Sequence, residues 1–308
     1  MTRTTSTDFL EVDALTPDRL AALLDRAQTW KQEPSAVPAP LAGQGVALLF
    51  EKPSARTRSS TEMAVVGLGG HPIYIRPEEV GIGERESVED VARTLAEYCT
   101  ILAARVFDHG TLEAMAAAVD VPVVNLLSDR AHPCQALADV MTLREHFGSV
   151  DGRRLVFVGD GNNVAASLAF ASALSGIELT VTSPPGYELD DDIVDRARNL
   201  GGAVETVTDP YEAVKGADAV YTDVWTSMGQ EDEAAARRAA FGGYQVDAEL
   251  MQAAGEQAVF LHCLPAHRGE EVAADVIDGP ASLVWKEAAN RMHAVRALLF
   301  DLATGTAA

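Results

Sequence analysis

The alternation of short apolar segments with amphipathic segments is the feature that most constrains the fold of this chain. Apolar runs such as Val46 to Phe50 and Leu155 to Val158 have the length of buried strands, and helical patterns follow them. Strands that alternate with helices form parallel βαβ units, whose helices cover both faces of an open sheet. The sequence therefore predicts an open parallel α/β sheet.

The alternation occurs in two series. A long helix, predicted from about Cys134 to Phe147, and the loop after it close the first series before a second one starts at Leu155. A chain of 308 residues is about two domains by size. We therefore expect two α/β domains, residues 1–149 and 150–285, followed by a final amphipathic helix from about Lys286.

Charge and cysteine content limit the possible partners and compartment. The formal net charge of −22 argues against nucleic acid and anionic membranes as partners, and no apolar run is long enough to span a bilayer. The N-terminus has no apolar signal region, and the three cysteines are widely spaced. These features predict a protein of the reducing cytoplasm. The three cysteines are Cys99, Cys134 and Cys263.

Lysine is nearly absent from this acidic chain. Only four of its 24 basic residues are lysines. In molar salt the Debye length falls to about 3 Å, so salt would remove the self-repulsion of an acidic surface. We therefore hypothesise adaptation to a salt-rich cytoplasm.

The segment Phe50 to Arg58 predicts an anion site. Pro53 ends the apolar run, and Ser54 is a suitable N-cap for a helix from Ala55. A strand that leads into a helix directs unpaired N–H groups and the positive end of the helix dipole at a ligand. Arginine side chains at this point favour phosphate. A solvated helix start is the alternative, and the glycines of a P-loop are missing.

Polar residues follow several predicted strands or open the next helix. In open α/β sheets ligands bind beyond the carboxyl ends of the strands, so we expect these residues near a ligand. They are Arg105, Asn125, the segment His132 to Gln135, the segment Asp160 to Asn163, the segment Asp223 to Gly229, and the segment His262 to Pro265.

Three other interpretations have weaker support. The segment Gly159 to Asn163 lacks the third glycine of a dinucleotide-binding turn, and no acid follows the next strand to hold a ribose. The spacing of His262, Cys263 and His267 is not that of a structural zinc site. A nucleophilic pair of Cys263 and His262 is unexpected, because neighbouring residues on a strand point to opposite faces.

Four of these segments, in this order and at similar spacing, resemble the ornithine carbamoyltransferases of the aspartate/ornithine carbamoyltransferase family. The first two segments are shared by the wider family, and the last two point to ornithine. They are Phe50 to Arg58, His132 to Gln135, Asp223 to Gly229, and His262 to Pro265.

The resemblance implies transfer of a carbamoyl group from carbamoyl phosphate to the side-chain amine of L-ornithine, without metal or cofactor. It also implies two α/β domains joined by interdomain helices, with the last helix, about 286–308, packing on the carbamoyl-phosphate domain. Residues 150–285 would then bind ornithine. The catalytic residues that it implies are Arg56, Arg105, His132, Cys263 and Arg291.

The remaining ligand contacts are also implied by the resemblance. Carbamoyl phosphate would be held by Ser54, Ala55, Arg56, Thr57, Arg105, His132, Gln135 and Arg291. Ornithine would be held by Asn163, Asp223, Ser227, Met228, Cys263 and Leu264. The family's catalytic unit is a trimer, so a homotrimer or a multiple of it is expected, with the loop Gly81 to Ser87 of a neighbour near each site.

One departure from the family pattern concerns the anion site. The family usually has threonine where this chain has Ala55, so one side-chain hydroxyl is missing. A backbone N–H remains at this position, and we therefore expect weaker phosphate binding and not its loss.

Two alternatives to this function remain. A carbamoyltransferase for putrescine or N-acetylated ornithine would have the same carbamoyl phosphate site. Asp223 and the segment Ser227 to Gly229 instead favour an acceptor with a free amino-acid head group. A non-enzymatic phosphate- or amino-acid-binding module would not explain the convergence of four residues, which are Arg56, Arg105, His132 and Cys263.

Overall fold

The computed structural model describes residues 8–81, 85–227 and 229–306. The chain divides into two compact units, one formed by Met1–Ala138 with Arg291–Ala308 and the other by Asp139–Asn290. Both boundaries fall inside long helices, α6 (Pro133–Phe147) and α13 (Val284–Thr304). Each unit contains one parallel sheet, so the predicted α/β class with a last helix that returns to the first unit is confirmed.

The first unit is built on a four-stranded sheet with the order β2-β1-β3-β4. Its strands are β1 (Gly45–Phe50), β2 (His71–Ile75), β3 (Cys99–Arg105) and β4 (Val123–Leu127). Its helices are α1 (Pro17–Gln32), α2 (Ala55–Gly67), α3 (Pro77–Val80), α4 (Val88–Ala96) and α5 (His109–Ala118), with 3-10 turns at Val12–Ala14 and Pro34–Ala36.

The second unit is built on a five-stranded sheet with the order β7-β6-β5-β8-β9. Its strands are β5 (Arg154–Val158), β6 (Glu178–Thr182), β7 (Val204–Val207), β8 (Ala219–Thr222) and β9 (Val259–Leu261). Its helices are α7 (Asn163–Ser175), α8 (Asp191–Asn199), α9 (Pro210–Ala213), α10 (Ala234–Ala240), α11 (Ala248–Ala254) and α12 (Ala274–Ile277), with a 3-10 turn at Glu231–Glu233.

Apolar burial explains the central strands. Every residue of β1 after Gly45 is buried, as expected for a parallel strand covered on both faces. In the second unit Val156 and Val220 pack in one core with Phe241 and Phe260. Within the described residues, none of the helices is both long enough and apolar enough to cross a membrane.

The strand β9 is shorter than predicted. The sequence predicts a strand from Val259 to Leu264, but β9 ends at Leu261. The next backbone N–H, that of His262, donates to the carboxylate of Glu287 at 3.0 Å and not to a neighbouring strand. Leu264 then has a φ of 61°, which a strand cannot accommodate. The segment His262 to Pro265 is therefore a loop.

The turn between β5 and α7 requires a glycine at position 161, because a side chain there would not fit. A Cβ on Gly161 would lie 2.3 Å from the backbone nitrogen of Leu189 and 2.5 Å from the carbonyl oxygen of Glu188. The N–H of Gly161 also donates to the carbonyl of Tyr187 at 2.9 Å. The turn and the segment Tyr187 to Leu189 are thus in direct backbone contact.

We predict that Gly161→Ala lowers the free energy of unfolding by about 1–3 kcal/mol, because the added methyl group must push this backbone apart. Urea denaturation measures the change. Gly243→Ala is the matched control, since no atom lies within 4 Å of a Cβ at that position. Equal stability of the two variants would contradict the predicted close contact.

Candidate active site

The predicted anion turn is present at the start of α2. The Oγ of Ser54 accepts a hydrogen bond from the backbone N–H of Thr57 at 3.4 Å and donates to its Oγ1 at 3.1 Å. Ala55 and Arg56 begin the helix and are exposed. The turn thus presents a helix N-terminus with an arginine on it, an arrangement that favours an anion.

Thr57 is the point at which two arginines meet. Its buried Oγ1 lies 3.5 Å from Nη1 of Arg105 and 3.4 Å from Nη2 of Arg291. Arg291 also donates a short hydrogen bond to Oε1 of Gln135. The structure therefore brings together four residues that the sequence places on β3, α2, α6 and α13.

His132 lies beside these arginines and is 5% exposed. Burial, followed by the positive charges of Arg291 and Arg105, lowers the pKa of His132 well below its ordinary value of 6.5. The imidazole is therefore neutral at physiological pH and can donate one hydrogen bond without adding charge.

The loop that carries His132 is held by a buried amide. Nδ2 of Asn125 donates to the carbonyl of Leu10 at 3.0 Å and to Oγ of Ser128 at 3.2 Å. Oγ of Ser128 in turn accepts the backbone N–H of Ala131 at 3.2 Å. The hydrogen bonds of Asn125 and Ser128 thus hold the loop in place. No sequence motif had indicated Ser128.

The second unit brings Asp223 and Cys263 together. The thiol of Cys263 donates to Oδ1 of Asp223 at 3.1 Å, and Nδ2 of Asn162 donates to Oδ2 at 3.0 Å. Asp223 follows β8, Cys263 follows β9, and Asn162 precedes α7, so three adjacent carboxyl ends of one sheet meet as expected.

Cys263 is a thiol and not a thiolate in this arrangement. Burial raises its pKa well above the ordinary value of 9.0, and the neighbouring carboxylate of Asp223 raises it further. A neutral thiol is a poor nucleophile but a suitable hydrogen-bond donor. The site therefore offers a carboxylate with a polar, uncharged neighbour.

The prediction that the side chains of His262 and Cys263 stay apart is wrong. Their donor atoms and a carboxylate oxygen of Asp223 lie within 4.8 Å of one another. The rule of alternating faces does not apply, because β9 ends before these residues. Nδ1 of His262 accepts the N–H of Leu264 at 2.9 Å, and Nε2 lies 3.2 Å from Oε1 of Glu271. Both ring nitrogens are thus engaged away from the thiol.

Among the residues that the structure describes, two groups of side chains have the chemistry to hold a metal ion. One is Asp223, His262 and Cys263, and the other is His267, Glu270 and Glu271. In the first group the hydrogen bonds of His262 and Cys263 would have to be broken before an ion could bind.

Arg237 is a functional candidate that sequence patterns did not indicate. This buried side chain donates to Oδ2 of Asp160 at 2.8 Å and to the carbonyl of Trp225 at 3.1 Å. It thus ties the turn before α7 to the segment that leads to Ser227. Burial raises the pKa of Asp160, and the charge of Arg237 opposes that effect.

The remaining predicted residues lie in the same unit. Asn163 is the first residue of α7 and is half-buried. The N–H of Ser227 donates to Oε1 of Gln230 at 3.1 Å, and Gln230 returns a bond to the carbonyl of Ser227. Leu264 packs against the core of the second unit. Met228 and residues 82–84 of the predicted interface loop lie outside the described part of the chain.

Comparisons with known proteins cover both units. Residues 7–145 match the carbamoyl-P binding domain of aspartate/ornithine carbamoyltransferase, and residues 151–302 match its Asp/Orn binding domain. The ornithine carbamoyltransferase of Acidothermus cellulolyticus is 50% identical over 296 residues, which are 94% of this chain and 95% of that protein.

Solved structures have the same fold. The ornithine carbamoyltransferase of Thermus thermophilus superposes with a TM-score of 0.89 at 47% identity and covers 97% of this chain and 99% of its own. An acetylornithine transcarbamylase complexed with acetylcitrulline reaches 0.86 at 30% identity, with 96% and 98% covered.

We predict that Asp223→Asn increases the rate of alkylation of Cys263 by iodoacetamide severalfold at about pH 8. The substitution removes a negative charge that raises the pKa of the thiol and keeps an oxygen that accepts its hydrogen bond. Peptide mass spectrometry measures the rate at each cysteine. Cys134 is an internal control, since burial raises its pKa to about 11 independently of Asp223. An unchanged rate at Cys263 would contradict the electrostatic coupling.

Proposed function

The chain belongs to the aspartate/ornithine carbamoyltransferase family, and we propose that it transfers the carbamoyl group of carbamoyl phosphate to the side-chain amine of L-ornithine. The products are L-citrulline and phosphate, and arginine catabolism would use the reverse direction. The observation that carries the proposal is the pairing of Asp223 with Cys263 in a chain that also has the anion turn at Ser54.

Residues 1–149, together with the final helix from about 286, are proposed to bind carbamoyl phosphate. The exposed arginine and the free N–H groups of the anion turn suit the phosphate, and the buried donors suit the carbamoyl group. The residues for the phosphate are Ser54, Ala55, Arg56 and Thr57, and those for the carbamoyl group are Arg105, His132 and Gln135, with Arg291 beside them.

These donors explain how the reaction is accelerated. When the amine attacks the carbamoyl carbon, charge builds on the carbonyl oxygen before phosphate leaves. Fixed donors aimed at such an oxygen each contribute about 3 kcal/mol to transition-state stabilisation. Arg105 carries a full charge, whereas His132 donates as a neutral imidazole. The arginines also orient the phosphate as a leaving group.

Residues 150–285 are proposed to bind ornithine. The carboxylate of Asp223 suits the α-ammonium group, and the donors near Asn163, Ser227 and the Met228 backbone suit the α-carboxylate. Cys263 and Leu264 then lie by the reacting amine. An amine with a pKa of about 10.4 is mostly protonated near pH 8, so the site must select its neutral form. A neutral thiol at Cys263 does not favour the ammonium form as a thiolate would.

We also propose a homotrimer, or a multiple of it, in the cytoplasm, with the loop Gly81 to Ser87 of a neighbouring copy near each site. Ser87 caps α4 by accepting the N–H of Asp90 at 3.1 Å, which anchors one end of this loop. Sedimentation equilibrium would give the mass of the assembly, and a monomer with full activity would contradict this proposal.

The direct test of the function is citrulline formation from carbamoyl phosphate and ornithine in molar salt. We expect turnover with ornithine and none with putrescine, N-acetylornithine or aspartate. Turnover with only another amine would contradict ornithine as the acceptor. If no acceptor reacts while carbamoyl phosphate and ornithine both bind in calorimetry, the binding-module alternative is favoured.

A second prediction concerns the missing hydroxyl at the anion turn. Ala55→Thr should tighten carbamoyl phosphate binding by roughly tenfold, because a hydrogen bond to a charged group contributes about 1.5 kcal/mol. Isothermal titration calorimetry measures the dissociation constant. Ala55→Val is the matched control, since it adds the same volume without a hydroxyl group. Equal affinities of the two variants would contradict a role for this hydroxyl.

A third prediction concerns salt. The net charge of −22 predicts that the free energy of unfolding in urea is several kcal/mol higher in molar sodium chloride than in dilute buffer. Most of this gain should appear as the Debye length falls to about 3 Å. An equal free energy of unfolding in the two solutions would contradict the hypothesis of adaptation to salt.

A further inference from the structure

Glu287 connects the ends of β8 and β9, the two strands that lead to Asp223 and Cys263. This side chain is 1% exposed and belongs to the first turn of α13. Its Oε1 accepts the hydroxyl of Tyr221 at 3.2 Å, and its Oε2 accepts the backbone N–H of His262 at 3.0 Å. Tyr221 lies on β8 two residues before Asp223, and His262 immediately precedes Cys263.

The position of this carboxylate follows from where the sheet ends. Tyr221 and Leu261 form the last pair between β8 and β9. On the edge of β9 that faces away from β8, the N–H of Phe260 donates to the carbonyl of Ala281 at 2.9 Å. Leu283 donates to the carbonyl of Phe260 at 2.8 Å and so holds the start of α13 beside β9. Glu287 continues this row of contacts by accepting the N–H of His262.

A second acid adds to the raised pKa of this group. Asp139 on α6 is fully buried and shares a side-chain hydrogen bond with Glu287. Two carboxyl groups can form such a bond only if one of them carries a proton. Burial, followed by the charge of Asp139, raises the pKa of Glu287 well above its ordinary value of 4.5.

We propose that Glu287 is a positioning residue, which holds Asp223 and Cys263 at the separation that ornithine requires while Asp139 holds Glu287. This inference rests on the proposed function, because ornithine is taken to bind at Asp223 and Cys263. Glu287 acts through Tyr221 and the backbone of His262, and it makes no contact with the reacting atoms in this assignment.

The test compares Glu287→Ala with Leu250→Ala, a control that removes a buried side chain from the core of the same unit. We expect kcat/KM for ornithine to fall about 10- to 100-fold more in Glu287→Ala, since a displacement near 1 Å can have that effect. The affinity for carbamoyl phosphate, measured by calorimetry, should be the same in both variants. Glu287→Gln keeps one acceptor oxygen and donates to Asp139, so it should restore most of the loss.

A readout independent of turnover is the alkylation rate of Cys263. Through the backbone of His262, Glu287 holds Cys263 against Asp223. Glu287→Ala should therefore loosen this contact and make the thiol react faster than in the control. If the wild-type protein does not use ornithine, the proposed function fails, and this rate alone then decides whether Glu287 positions the pair.

The inference is overturned if kcat/KM for ornithine and the rate at Cys263 match those of Leu250→Ala. It is also overturned if carbamoyl phosphate affinity falls in parallel, because that indicates general destabilisation. Should Glu287→Ala not fold, Tyr221→Phe decides the question, since it keeps the packed ring and removes one of the two contacts. An unchanged kcat/KM in that variant would then contradict the role of Glu287.

Discussion

The approach of two arginines to one buried threonine hydroxyl is the constraint on which the first unit depends. Arg105 and Arg291 come from different elements, yet both guanidinium groups lie within 3.5 Å of Oγ1 of Thr57. Like charges in a site of low dielectric repel each other, and a bound anion relieves that repulsion. Burial is the main reason why the pKa of His132 is lowered, and the charges of these two arginines lower it further. The proposed carbamoyl phosphate site therefore has its positive charge fixed before the ligand arrives.

The candidate site of the second unit is acidic, whereas that of the first unit is basic. Asp223, Glu287 and Asp139 gather at the ends of β8 and β9, where burial, followed by the charge of Asp139, raises the pKa of Glu287. Cys263 stays neutral among them. Such a site favours a cationic head group while leaving an uncharged donor by the reacting amine. In the proposed assignment, an anionic and a cationic substrate thus meet sites of opposite charge, one in each unit.

Much of this arrangement follows from the sequence, because strand ends can be located from apolar runs and parallel sheets gather those ends at one edge. That rule placed Asp223 near Cys263, and Ser54 after Pro53 predicted the turn at the start of α2. The prediction failed at His262, because β9 ends at Leu261 and the next N–H donates to Glu287, which lies 25 residues further along the chain. Arg237, Tyr221 and Glu287 were also missed, because residues that support a site through tertiary contacts have no local pattern.

The division of the two ligands between the units is tested most directly by calorimetric titration of carbamoyl phosphate into the wild-type protein, Arg105→Gln and Asp223→Asn. Removing one partner of a buried charged hydrogen bond costs about 2–5 kcal/mol, so Arg105→Gln should weaken binding by at least roughly 30-fold. Asp223→Asn should leave the affinity within about twofold, since additivity holds for independent sites. Equal weakening in both variants, or none in Arg105→Gln, would contradict this division.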